Sequence, residues 1–159
     1  MRDTVDTVAL RLLKASDAEQ RISFGVAYPA MKADAAVAQD GHRDFIRPEQ
    51  LERAAHQFLA EHREIGLHHA DGTSGSGVVV ESAIHRGKAY KTTAIDGSEV
   101  KVEPGDWVLA VRWSPEAWKL IKSGQVRGYS PQGMAQRRKP SKSDIVKLRE
   151  RAERHGRKR

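Results

Sequence analysis

Asp106-Trp107-Val108-Leu109-Ala110-Val111-Arg112-Trp113 decides how this chain is read. Trp107, Leu109, Val111 and Trp113 alternate with Val108, Ala110 and Arg112, and both sets are mostly apolar. A strand with one wet face carries polar residues at every second place. This one does not, so it reads as a largely buried strand. Pro104-Gly105 turns the chain into it. Ser114-Pro115-Glu116 leads out of it into a short helix, with Ser114 as N-cap, Pro115 at the first helical position and Glu116 in the first turn. Gly124 closes that helix after Leu120, Ile121 and Lys122.

Outward from this strand, the same two periods organise the rest. Arg21 to Tyr28 alternates, with Ile22, Phe24, Val26 and Tyr28 on one face, and Pro29 ends it. Residues 30–46 are loop-like. Pro48 to Glu64 is the clearest helix: Leu51, Ala54, Ala55, Phe58 and Leu59 form one apolar stripe, and Gly66 is the expected stop. Asp71 to Gly77 has the composition of a flexible loop. Val78-Val79-Val80 opens a strand, and His85 to Thr93 is expected to pair with it through a turn near Arg86-Gly87. Asp96-Gly97 is a strong turn signal. Gln125 to Ser130 reads as a last short strand. Ser141 and Asp144 have capping-box spacing and open a final helix to about Arg154. Its apolar face is thin, limited to Ile145, Val146, Leu148 and Ala152. The fold class is α+β, a strand-rich core of five or six strands with two or three helices around it. The N-terminal residues 1–20 are mixed, anchored by Leu10, Leu12 and Leu13.

A chain of 159 residues is one domain, or one domain and a tail. The boundary falls at 136/137. Of the formal net charge of +7, the segment 137–159 carries +8 (eleven Lys/Arg against three Asp/Glu), which leaves −1 for residues 1–136. A basic arm on a nearly neutral body points to an acidic partner, nucleic acid or an acidic protein surface. The arm is expected to lie apart from the core, so that removing it leaves the fold intact. No cysteine is present, which excludes disulfides, thiolate zinc sites and a Cys nucleophile. Met1-Arg2-Asp3-Thr4 lacks a signal-peptide pattern, and no apolar run reaches the ~20 residues of a membrane span. A soluble protein inside the cell, without membrane contact, is the expectation.

The chemistry lies in Gly128-Tyr129-Ser130-Pro131-Gln132-Gly133 and Leu67-His68-His69. A serine between glycines at a strand end exposes its hydroxyl, and it becomes a nucleophile when a base takes its proton. Imidazole, with an ordinary pKa near 6.5, suits that task. His68 and His69 are adjacent, so in a strand only one of them faces inward. Glu81, at the end of a buried-looking run, is the candidate carboxylate to orient the imidazole. No metal is expected: His56 and His62 are six apart, without the i, i+4 spacing of helical zinc ligands. No cofactor is expected either.

Several stretches together resemble a known family. They are Asp40-Gly41-His42-Arg43-Asp44, Leu51 to Phe58, Ile65-Gly66-Leu67-His68-His69, Val79-Val80-Glu81-Ser82, Gly105-Asp106-Trp107-Val108 and Trp118 to Ser130. In order and spacing they are similar to the XkdF-like putative phage serine proteases, relatives of prohead (capsid maturation) proteases and of herpesvirus assemblin. The resemblance covers roughly residues 20–135. It implies a β-barrel flanked by helices, and a serine endopeptidase that cuts phage scaffold and capsid proteins during head maturation. It implies Ser130 as nucleophile and His69 as base, with His68 as second choice. The third member stays open, with Glu81 as a guess, and Asp144, Glu150 and Glu153 as the only carboxylates in the last helix. Pro131 departs from the family pattern: it has no N–H and cannot donate to an oxyanion hole, so Gly133 or Met134 would have to. A homo-oligomer acting in the host cytoplasm or procapsid interior is the expected setting. The alternative is a non-enzymatic head-assembly or nucleic-acid-binding protein that works through the basic arm.

Overall fold

A computed structural model describes residues 20–33, 41–65, 75–94, 97–125 and 138–156. In chain order the described elements are β1 (Ile22–Tyr28), α1 (Pro48–Glu61), β2 (Glu64–Ile65), β3 (Gly77–Ile84), β4 (Tyr90–Thr93), β5 (Glu99–Val102), β6 (Trp107–Trp113), α2 (Pro115–Lys122) and α3 (Lys142–Gly156). The fold is α+β. A four-stranded antiparallel sheet has the order β1-β6-β3-β2, and β4 and β5 form a separate two-stranded ribbon. Among the described residues neither sheet closes into a barrel.

β6 is central because both its faces are apolar, as its sequence requires. Its two tryptophans tie it to its neighbours. The Trp113 indole N–H donates to Ser23 Oγ of β1 at 2.7 Å, and that of Trp107 donates to Ser82 Oγ of β3 at 2.9 Å. Buried indole N–H groups need such acceptors. On one side of the sheet, Trp107, Leu109, Val111 and Trp113 pack with Val79 of β3 and with Leu51, Ala55 and Phe58 of α1. Ala117, Trp118 and Ile121 of α2 close the same core. The Ser114 side chain accepts from Ala117 N–H at 3.1 Å, which is the expected N-cap, and Gly124 leaves the helix at φ 76°.

Two β-bulges reset the faces that simple alternation assigns. In β1, Val26 pairs with Val108 and Tyr28 with Trp107, so Ala27 is the extra residue. Ile22, Phe24 and Val26 lie on the side of Arg112, Ala110 and Val108, away from the helices, and Tyr28 packs against the core side. The four residues therefore do not share one face. In β3, Val79 pairs with Val111 and Glu81 with Ala110, which leaves Val80 as the extra residue. A bulge opposes two residues to one and shifts everything beyond it.

Three further expectations are corrected. β3 does not pair with β4; it pairs with β6 and β2, and β4 turns through Gly97 (φ 81°) to pair with β5. α1 ends at Glu61, before Gly66, because Arg63 takes a left-handed φ of 61° and the chain enters β2. Ala54 of its stripe is exposed. Of the last strand expected at 125–130 only Gln125 is described, in the turn that closes α2, where its N–H donates to the Leu120 carbonyl at 3.0 Å; residues 126–130, the Asp71–Gly77 loop up to residue 74 and the N-terminal leucines lie outside the described residues.

α3 opens with the expected capping box: Asp144 N–H donates to Ser141 Oγ at 3.2 Å, and Ser141 N–H donates to Asp144 Oδ2 at 2.7 Å. The helix is docked on the body, which the reading of an arm apart from the core does not anticipate. Its inward residues are Asp144 and Arg151, seven apart on one face. Asp144 receives Arg47 through Nε at 2.9 Å and Nη2 at 2.6 Å. Arg151 donates through Nη1 to Asp106 Oδ1 at 2.7 Å and through Nη2 to Oδ2 at 3.0 Å, and also to the Ala30 carbonyl.

Candidate active site

Glu81 is the one member of the predicted triad that falls among the described residues. Strict alternation from Val79, which is buried, would place Val80 outside and Glu81 inside. The bulge at Val80 puts both Val80 and Glu81 outside and returns Ser82 to the inner face, where its hydroxyl meets Trp107. Glu81 is exposed, and its carboxylate makes no hydrogen bond or ion pair with another described residue. Ser130, His69 and His68 lie outside the described residues, as do Pro131, Gly133 and Met134.

The framework around those segments is described. β2 runs into residue 66 from Ile65, which pairs with Gly77 of β3; Gly77 in turn pairs with Trp113, the last residue of β6. Ser114 N–H donates to the Ser76 carbonyl at 2.9 Å. The approach to residues 66–74, their exit at Gly75, and the start of α2 therefore all lie at one end of the sheet. α2 carries the chain across the same core to Gln125, with Ile65, Trp118 and Ile121 in one apolar cluster. Gly77 makes this junction possible: a Cβ there would lie 2.6 Å from Val111 Cγ1 and 2.9 Å from Trp113 Cε3. The Trp118 indole N–H is buried without an acceptor among the described residues.

The strongest electrostatic construction lies elsewhere, at the turn before β6. Asp106 is fully buried and accepts four hydrogen bonds: from Ala30 N–H and Arg151 at Oδ1, and from Glu103 N–H and Arg151 at Oδ2. Glu103 sits beside it. Burial alone would raise its pKa, but hydrogen bonds from Arg154 and Lys101, with the charges of Arg151 and Arg154, hold it down at about 2. Asp144 is held well below the usual carboxylate range by hydrogen bonds from Arg47 and Ser141. His155, 3.4 Å from Glu103, has its pKa lowered chiefly by burial. Asp144 is already committed to Arg47 and Ser141, which fix the start of α3. Glu150 and Glu153 are exposed on the outer side of α3. Sequence reasoning missed Asp106 and Arg151. The available signals were a carboxylate opening an apolar strand after Pro-Gly, and an arginine two helical turns beyond Asp144.

No group of three or more His, Asp or Glu among the described residues is arranged to hold a metal ion. No helix there is long and apolar enough to cross a membrane.

The described α+β sheet, with Ile65, Trp118 and Ile121 in one apolar cluster, is compared with known proteins through the sequence of the whole chain. The family model described as "Putative phage serine protease XkdF" matches residues 9–139, most of the chain, and the chain belongs to this family. It is 39% identical over 122 residues to the "Phage-like element PBSX protein XkdF" of Bacillus subtilis (strain 168), covering 77% of this chain and 40% of the relative. It is 35% identical over 127 residues to "Uncharacterized protein YqbD" of the same organism, covering 80% of this chain and 35% of the relative. The chain thus aligns with two fifths or less of the length of these curated relatives. No solved structure gives a significant match.

Proposed function

We propose that the chain is a serine endopeptidase that processes phage scaffold and capsid proteins during head maturation. The observation that carries this reading is the family match over 9–139, which takes in both the Leu67–His69 and Gly128–Ser130 segments. In this mechanism Ser130 Oγ attacks the scissile carbonyl. His69 takes the hydroxyl proton and returns it to the leaving amine, and backbone N–H groups beyond Pro131 stabilise the oxyanion. Glu81 is the weakest part of the triad as proposed, since its carboxylate is exposed. A sheet closed into a barrel by segments beyond the described strands, a homo-oligomeric enzyme and action within the host cytoplasm or procapsid belong to the same proposal.

The test is co-expression with the scaffold and capsid proteins encoded beside it, followed by mass analysis of the products. Cleavage is expected from the parent chain. Ser130→Ala should reduce it by several orders of magnitude with the melting temperature unchanged, because the members of such a unit act together. His69→Ala should cripple cleavage and His68→Ala should cost far less, since neighbours in a strand face opposite ways. Near-parental cleavage by Ser130→Ala removes the mechanism, and the reverse histidine ranking moves the base to His68.

A second reading, a non-enzymatic assembly protein that works through the basic segment, is favoured by one observation: Arg138, Lys139, Lys142, Lys147 and Arg149 are all exposed. Retention of head assembly by a Ser130→Ala chain that cleaves nothing would select it.

A further inference from the structure

Ser130 stands in the chain between two fixed points of the fold. Five residues before it, Gln125 closes α2 with its N–H on the Leu120 carbonyl. Eleven residues after it, Ser141 and Asp144 cap α3. α3 is itself fastened to the body: Arg47 binds Asp144 through two nitrogens, and Arg151 binds Asp106 through two more. Asp144 and Arg151 are each 4% exposed. A segment pinned at both ends samples far fewer arrangements than a tail pinned at one. Arg47 is also more than a surface anchor. It is the N-cap of α1, where its carbonyl accepts from Gln50 N–H at 3.1 Å and Leu51 N–H at 2.9 Å. α1 packs on β6 and leads through β2 to Ile65, four residues before His69. The Arg47–Asp144 pair therefore joins the far end of the Ser130 segment to the helix that feeds His69.

We propose that Asp144 and Arg47 are positioning residues for the hydrolysis, holding Ser130 within reach of His69. The role rests on the reading above, with Ser130 as nucleophile. Neither residue touches the substrate. With the pair broken, α3 keeps its Arg151–Asp106 attachment, but its first turn is released. The fraction of chains with nucleophile and base aligned then falls, and the rate falls by that fraction. Substrate affinity is untouched, because no binding contact is lost. The pair is a small part of the stability, since the Arg47 side chain is 30% exposed and an ion pair open to water contributes little.

The test uses the full chain, well below its melting temperature, and a fluorophosphonate–biotin probe, which reacts with a serine that a base has activated. The parent should be labelled at Ser130, mapped by mass spectrometry. Arg47→Gln and Asp144→Ala should each slow labelling at least about tenfold. Each should lower kcat for scaffold cleavage by the same factor and leave KM unchanged. Arg47→Lys should recover part of the rate, since an ammonium keeps the charge but not the two parallel bonds. Lys147→Gln, on the exposed side of the same helix, should change nothing. A purely structural pair would move the melting temperature and leave both rates as they are below it. Parental labelling rates in Arg47→Gln and Asp144→Ala would overturn the positioning role and leave the proposed function standing, as would a change confined to KM. A parent chain that the probe does not label at Ser130 would overturn both.

Discussion

At the scale of single residues, two positions carry more than their sequence context shows. Gly77 reads as the end of a Gly/Ser loop, yet it is the first residue of β3, packed under Val111 and Trp113. Gly77→Ala forces a methyl into a space already filled. It should destabilise the protein by about 1–3 kcal/mol, the usual range for overpacking, measured by urea denaturation; Gly75→Ala, with open space at its Cβ but φ at 82°, should cost only the strain of that backbone. Arg151 looks like one cation among many in a basic run. Its partner Asp106 is fully buried, so Arg151→Met leaves a carboxylate without its counter-charge. A loss of about 3–5 kcal/mol follows for removing one partner of a buried pair. Arg151→Lys should recover only part of it, because an ammonium cannot make the two parallel bonds. An Arg151→Met protein as stable as the parent would show that the pair contributes nothing. No pattern of hydrophobicity reports such a pair, since the sequence places the partners 45 residues apart.

At the scale of elements, the helices were legible where an apolar stripe meets a cap. α2 has Ser114, Pro115 and Gly124 in their expected roles, and α3 has its capping box. Strand existence was legible too, but pairing and facing were not. Two bulges, each a single extra residue, reverse the facing of Tyr28 and Glu81, and a bulge leaves no mark on an apolar run such as Val78-Val79-Val80. The docking of α3 makes a pH prediction. Glu103 is held at about 2 and Asp144 is also depressed. Groups with lowered folded pKa values stabilise the protein above their ordinary pKa, near 4, and lose that contribution as pH falls through the folded values. The loss should therefore begin below about pH 4.5 and deepen toward pH 2. Burial of His155 works in the same direction, more weakly, from about pH 6.5 downward, since its protonation is disfavoured in the docked state. Hydrogen exchange of α3 amides between pH 6 and 2.5 reads this. Glu103→Gln should flatten the profile, and an unchanged profile would mean that other carboxylates set it.

At the scale of the whole molecule, the question is whether α3 is an arm or a part of the fold. Deleting residues 140–159 removes Arg151 from Asp106 and Asp144 from Arg47. The melting temperature should fall on the order of 10 °C, the shift that a loss of a few kcal/mol gives in a domain of this size. A truncated chain that melts with the parent would restore the independent arm. The sequence by itself determined the α+β fold class, the burial of β6, the caps of α2 and α3, and, through motif order, membership of the family described as "Putative phage serine protease XkdF". Those features are local: they rest on periods of two and 3.6, on caps, and on residue order, all written within a few positions of each other. Ser130 and His69 are proposed from motifs alone, and both lie outside the described residues. Only the tertiary structure decided which strand lies beside which, that Glu81 turns outward, and that α3 faces the body with Asp144 and Arg151 while Ile145 and Val146 face water. Each of those depends on a partner distant in the chain, and the desolvated carboxylate of Asp106 selects its arginine by geometry that composition does not encode.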